Sequence, residues 1–245
     1  HIGSQIFGTD GFAESAARLL TLHADLLKGG SVPELNLGGG FGIAYTPADK
    51  PTPIEEIAQE IASVVSAECA RLGIEIPVIC VEPGRAVIGT STFTLYEVGT
   101  TKDVTVDVVD VNSVSTGETA VRKYVSVDGG MSDNARPALY GADYSVRMAN
   151  RVSDADPALV RIAGKHCESG DILVYADYLP GDVHPGDLLA IPATGAYCWS
   201  LASNYNYLTR PPVVAVKDGV ARVIVRGETE EDLLARDMGV IRKAQ

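Results

Sequence analysis

The 245-residue chain is short of cationic charge: 20 Lys and Arg stand against 32 Asp and Glu, a net charge of -12 at pH 7. Such an anionic excess repels phosphodiester backbones and anionic lipid, which argues against nucleic-acid or membrane-surface binding. It leaves room for a small anionic ligand, because a local arginine or glycine loop outweighs a screened, distant field. Cysteine is scarce as well. Cys69, Cys80, Cys167 and Cys198 are scattered without Cys-x-x-Cys spacing. That argues against a zinc site and for reduced thiols in a cytosolic protein. No apolar run reaches the roughly 18 residues that a membrane span needs. Neither a signal peptide, an internal repeat nor a low-complexity segment is visible. There is no initiator Met either: the chain opens at His1 inside what reads as a strand end, and is expected to be a fragment.

What is present is an ordinary globular composition, 46% hydrophobic and 21% charged, long enough for one large core or two modest ones. Residues 12–28 place Phe12, Ala16, Leu19, Leu20, Leu22 and Leu26 at helical spacing, with Gly29-Gly30 as the stop. Glu34–Leu37 reads as a short strand ended by Gly38-Gly39-Gly40-Phe41-Gly42. A second helix is expected over 54–72, on the stripe Ile54, Ile57, Ile61, Val64 and Val65, with Gly73 as its C-cap. Pro77–Val81 reads as an apolar strand, buried on both faces as in a parallel sheet, and ended by Glu82-Pro83-Gly84-Arg85. From about residue 91 the texture changes. Strands are expected over 92–98, 104–111, 123–127, 172–175, 188–192, 213–216 and 221–225, with helical periodicity only near 140–151 and 229–236. The sequence therefore reads as an α/β part over 1–90 and a β-rich sandwich or barrel over 91–245.

Several segments carry chemistry. Consecutive glycines from Gly38 to Gly42 let backbone N–H groups converge on an anion, although a tight, closely packed turn wants the same residues. Arg85 in the next strand-end loop can clamp a phosphate or carboxylate, or instead pair internally with Glu82. Two such loops on consecutive parallel strands face one opening. His1-Ile2-Gly3-Ser4-Gln5 is a third polar segment placed like a strand end, with His1 able to stack on an aromatic ring and Ser4 to meet a phosphate. In the β-rich part, Lys165-His166-Cys167-Glu168-Ser169-Gly170-Asp171 sets a thiol beside a carboxylate in a polar run, suited to acid/base work. Gly195-Ala196-Tyr197 offers a phenol, and Arg136 and Tyr140 follow Asp128-Gly129-Gly130. Taken singly, each of these has a structural reading too.

Together, and in this order, these segments resemble the pyridoxal-phosphate-dependent decarboxylases of diaminopimelate, ornithine and arginine, whose fold is that of alanine racemase. The resemblance implies the C-terminal portion of a (β/α)8 barrel, entered near its sixth strand, followed by a β domain. It implies that His1 stacks on the pyridine ring, and that Ser4, Gly38, Gly39 and Gly40 hold the phosphate. Glu82 would keep the ring nitrogen protonated, with Gly84 and Arg85 beside it. Arg85, Arg136 and Tyr140 would bind substrate carboxylates, Glu168 the distal ammonium, and Tyr197 both phosphate and substrate. Cys167 would protonate the carbanion left by CO2, with Cys167 and Glu168 supplied by the partner of a homodimer.

The substrate implied is meso-2,6-diaminopimelate, yielding L-lysine, because Glu168 and Arg136 suit a distal group that is itself an amino acid. The alternatives are a sibling acting on arginine, ornithine or a carboxylated polyamine, and a non-catalytic cofactor-binding homologue. A phosphosugar barrel enzyme would leave the Cys167 segment unexplained. One departure stands out. Lys28, Lys50, Lys102, Lys123, Lys165, Lys217 and Lys243 do not match the context of the family's cofactor-anchoring lysine, which is expected upstream of His1, so this fragment alone is expected to be inactive. The polar stretch 107–122 exceeds the family pattern and is expected to be a surface hairpin away from the site.

Overall fold

A computed structural model describes residues 2–112 and 114–239. His1, the expected ring-stacking residue, and Lys243 lie outside the described residues. Contacts divide the chain into two compact units, His1–Phe93 with Ala193–Ala196, and Thr94–Pro192 with Tyr197–Gln245. The return of Ala193–Ala196 to the first unit has no local sequence signal. Among the described residues no helix is long and apolar enough to cross a membrane, and all four cysteines are free.

In the first unit, helix α1 (Asp10–Leu27) buries Phe12, Ala16 and Leu20, one residue per turn on one stripe. Helix α2 (Ile54–Leu72) buries Ile57, Ile61, Val65 and Cys69 at four-residue spacing. It ends at Gly73, whose φ of 67° is the left-handed cap that glycine adopts without a Cβ penalty. Strands β1 (Glu34–Asn36) and β2 (Val78–Cys80) pair in parallel, Leu35 opposite Ile79. Short helix α3 (Gly84–Ile88) follows β2. The core joins both helices to Leu35, Leu37 and Phe41, and Phe12 stacks on Phe41 with ring centroids 4.7 Å apart.

One expectation is corrected here. The 77–81 segment is not buried on both faces: Val78 is 61% exposed and Val81 44%. Among the described residues β1 and β2 form a sheet of only two strands, so no further strand covers them. Ile54, Ile76 and Val81 line an open apolar groove of about 460 Å³ beside α2.

The second unit is β-rich. Its six-stranded sheet contains β3 (Phe93–Val109), β4 (Ser115–Val127), β5 (Arg147–Met148), β6 (Pro157–Ala163), β7 (Ile172–Pro180) and β8 (Leu188–Pro192) in the order β5-β8-β3-β4-β6-β7. β4 and β6 run parallel, Val125 opposite Ile162; β6 and β7 run antiparallel. Val98, Val125, Val127, Val160, Ile162, Leu173, Leu189 and Ile191 fill the core. Hairpin β9 (Val213–Lys217) and β10 (Val220–Val225) is a separate two-stranded sheet.

Three sequence expectations fail in this unit. Residues 92–98 and 104–111 are not two strands, because a bulge between Val98 and Thr100 absorbs Gly99 and lets β3 run through. β4 starts eight residues before the expected Lys123, since pairing with β3 recruits its polar half; residues 107–109 and 115–122 accordingly form the outer part of that ribbon. The helix expected over 140–151 is only α4 (Arg136–Tyr140), ended by Gly141 at φ 60°. The next residues leave it for β5, which pairs with β8. β6 and helix α5 (Cys198–Leu201) were not anticipated at all. The expected helix over 229–236 is present as α6 (Glu230–Leu234), nucleated by a Thr229–Asp232 capping box.

Candidate active site

The first unit draws three polar loops together. Ile6 N–H donates to Gly40 O at 2.9 Å, and Glu82 N–H donates to Gly38 O at 2.9 Å. The glycines make this approach sterically feasible. A Cβ on Gly39 would stand 2.3 Å from Glu82 O, and one on Gly40 2.4 Å from Gly3 O. Close packing is thus one reason for glycine here. Anion binding is compatible with it, because among the described residues the N–H groups of Gly39 and Gly40 have no acceptor.

Arg85 is buried at 8% exposure. Its Nη2 donates to Ser4 Oγ at 2.7 Å and its Nη1 to Tyr45 Oη, with the guanidinium 5.6 Å from the Tyr45 ring centroid. Arg85 and Glu82, which the sequence left free to pair with each other, each engage other partners. Glu82 Oε1 instead accepts from Asn36 Nδ2 at 2.8 Å, and Asn36 Oδ1 accepts from Gly38 N–H at 2.7 Å. Asn36 therefore ties the carboxylate to the glycine loop. Gly84 has open space where a Cβ would sit. These residues fit a phosphorylated cofactor: two free backbone donors, a hydroxyl and a buried guanidinium for the anion, and a fixed carboxylate for a cationic ring nitrogen.

In the second unit, loops 128–136 and 164–171 are locked together by Asp171. Its Oδ1 accepts from Met131 N–H at 2.6 Å, and its Oδ2 from His166 N–H at 2.9 Å. Lys165 N–H donates to Gly129 O at 2.9 Å. Asp133 Oδ2 accepts from Gly130 N–H at 2.7 Å while Oδ1 accepts from the buried Tyr96 hydroxyl; burial pushes the Asp133 carboxyl up.

Arg136 is 7% exposed. Its Nη1 donates to Tyr144 Oη at 2.6 Å, 5.5 Å above that ring. Cys198 Sγ lies 3.5 Å from Tyr144 Oη, and burial pushes both the phenol and the thiol up, so both stay neutral. Tyr140 ends the same helix but is 66% exposed; the two expected substrate ligands sit in opposite surroundings. Cys167 is exposed, as is Glu168, whose Oε1 accepts from Tyr205 Oη. Tyr197 is 46% exposed at φ 71°, a left-handed conformation rare for a bulky residue and concentrated at functional sites.

Sequence reading missed Tyr45, Tyr144, Asp133 and Tyr205. Each meets its partner across a separation of 8 to 40 residues, which no local spacing rule reports.

Residues 1–89 match the pyridoxal binding domain of the pyridoxal-dependent decarboxylases, and residues 78–195 match their C-terminal sheet domain. Diaminopimelate decarboxylase of Mycobacterium tuberculosis H37Rv is 52% identical over 244 residues, 97% of this chain and 52% of that protein. The Bacillus subtilis 168 enzyme is 45% identical over 240 residues, 97% of this chain and 51% of that protein. The crystal structure of the enzyme from M. jannaschii in co-complex with L-lysine aligns with a TM-score of 0.84 at 31% identity, covering 97% of this chain and 50% of that one. The chain thus spans about half the length of the relatives it matches. With both domain types matched in sequence order, the loops and sheet just described belong to a member of the pyridoxal-dependent decarboxylase family.

Proposed function

We propose that the holoenzyme to which this chain contributes converts meso-2,6-diaminopimelate to L-lysine and CO2 with pyridoxal 5′-phosphate. The observation that carries this reading is the exposed Cys167 next to Glu168, with the Glu168 carboxylate held by Tyr205. Diaminopimelate decarboxylases at 45–52% identity, and the M. jannaschii relative crystallised with L-lysine, support it. Residues 1–90 are read as the C-terminal portion of a (β/α)8 barrel and 91–245 as the β domain. In support, β1 and β2 pair in parallel and each is followed by a helix.

Bound pyridoxal phosphate supplies the electron sink for the pair left at Cα when the Cα–carboxylate bond breaks. The protein's own groups do the rest. Ser4 and the amides of Gly39 and Gly40 hold the phosphate, and Glu82, fixed by Asn36, keeps the ring nitrogen protonated. Arg85 and Arg136 bind carboxylates, with Tyr140 and Tyr197 as further ligands. Glu168 takes the distal ammonium. Cys167 gives its thiol proton to Cα, and the resulting thiolate is reprotonated from solvent, to which it is open. Cys167 and Glu168 are read as serving the partner subunit's cofactor in a homodimer, and the free thiols support a reducing, cytoplasmic setting.

A distal group that was purely cationic would call for acid without arginine, so the second arginine, Arg136, favours diaminopimelate over ornithine or arginine. In the holoenzyme, Cys167→Ala is expected to keep the cofactor absorbance and to lower turnover by about 100-fold or more. Unchanged turnover removes Cys167 from the chemistry.

A further inference from the structure

We infer that Tyr205 is a specificity-determining positioning residue, whose hydroxyl aims the Glu168 carboxylate at the distal ammonium of the substrate; this rests on the reading of Glu168 given above. Glu168 lies in an exposed turn, where a carboxylate is free to sample several rotamers. Tyr205 removes that freedom by donating its Oη proton to Glu168 Oε1. The same carboxylate pushes the Tyr205 phenol up, so the group stays a donor at neutral pH.

Tyr205 is itself held on two sides. Its ring stacks on His166, centroids 5.5 Å apart and planes at 15°. His166 is anchored through Nδ1 to Asp171 Oδ2 at 2.8 Å, and its ring is buried. On the chain side, Asn204 Nδ2 donates to Leu208 O at 3.0 Å and to Glu228 Oε2 at 2.6 Å. Arg210 Nη1 closes the clamp on Glu228 at 2.7 Å. Asn206 and Tyr207, at φ 54° and 59°, hold this turn in a conformation that L residues rarely adopt. A line of four side chains, Asp171–His166–Tyr205–Glu168, therefore runs from a buried carboxylate to an exposed one. Asp171 N–H donates directly to Glu168 O at 3.1 Å, but the link between the two side chains passes through a residue 37 positions from Glu168.

The test compares Tyr205→Phe with Glu168→Gln in the holoenzyme, using meso-diaminopimelate and 2-aminopimelate, which lacks the distal amino group. Phenylalanine keeps the stack on His166 and deletes only the hydroxyl, and an unchanged cofactor absorbance verifies the fold. The expected result for Tyr205→Phe is a KM for meso-diaminopimelate raised about five- to tenfold with kcat within about twofold, the effect of one charge-assisted hydrogen bond. Preference for meso-diaminopimelate over 2-aminopimelate falls by the same factor. A clamp that only stabilised the turn would leave that preference unmoved. If Glu168→Gln abolishes the preference and Tyr205→Phe does not change it, the role of Tyr205 is overturned while Glu168 stands. If neither variant changes it, the assignment of Glu168 falls, and Tyr205 with it.

Discussion

Asp171 grips His166 at two points: the Asp171 Oδ2 atom accepts the main-chain N–H of His166 at 2.9 Å and lies 2.8 Å from its ring Nδ1. Both side chains are almost wholly buried, and glycine is required on either side. A Cβ on Gly164 would stand 2.1 Å from Asp171 Oδ2, and one on Gly130 2.5 Å from the same atom. Removing the carboxylate strands a buried imidazole and two backbone donors. Asp171→Ala is expected to cost about 3 kcal/mol of stability, read as a lowered urea midpoint. A loss below about 1 kcal/mol contradicts this reading of Asp171 as the knot between loops 128–136 and 164–171.

The glycine loop makes a sharper contrast. At Gly39 a methyl group meets backbone, Glu82 O at 2.3 Å, and backbone cannot swing aside as a flexible side chain can. At Gly8 nothing lies within 4 Å of a new Cβ. Gly39→Ala is expected to weaken pyridoxal phosphate binding at least about tenfold in a fluorescence titration, a loss of about 1.4 kcal/mol, whereas Gly8→Ala leaves it unchanged. Equal affinities in both variants would remove the loop from the cofactor site.

Arg136 depends on Tyr144 for its direction. Tyr144→Phe keeps the ring under the guanidinium, 5.5 Å away, and removes the acceptor at 2.6 Å. The predicted outcome is a KM for meso-diaminopimelate raised about threefold or more, with cofactor affinity unchanged. A shift in cofactor affinity instead would place Arg136 at the wrong ligand.

Acid stability should trace to Asp187. Its buried carboxylate accepts from Arg151 Nε at 2.7 Å and Nη2 at 2.8 Å, and from His184 N–H at 3.0 Å. Arg151 above all holds it well below the usual carboxylate range. The unfolded chain therefore binds this proton more tightly than the folded one. The contribution is complete above about pH 4 and is lost progressively as pH falls below that value. Urea midpoints at pH 7 and pH 3 should differ less in Asp187→Asn than in the parent chain; an equal acid loss in both would assign it to other carboxylates.

Much of the first unit was legible in the sequence because its signals are local. Helices α1 and α2 carry their stripes and glycine stops within single segments, and the two strand-end loops announce themselves by composition. Burial of 77–81 was misjudged because an apolar run shows what a strand can pack against, not what is there to cover it. The second unit was harder. Whether β3 continues through Gly99 depends on its pairing with β4, and the path of residues 142–148 on the pull of β8, both long-range choices that override local preference. The loops that carry the site residues could be read. The tyrosines that orient them, Tyr45, Tyr144 and Tyr205, could not, since each lies outside the motif it serves.

The most direct measurement is CO2 release by the pyridoxal-phosphate-loaded holoenzyme from meso-diaminopimelate, ornithine and arginine, with the products identified. Release from meso-diaminopimelate at a kcat/KM at least about 100-fold above the other two, with L-lysine as product, is the predicted result, worth about 2.7 kcal/mol of discrimination. A preference for ornithine or arginine, or cofactor binding without CO2 release from any of the three, would contradict it.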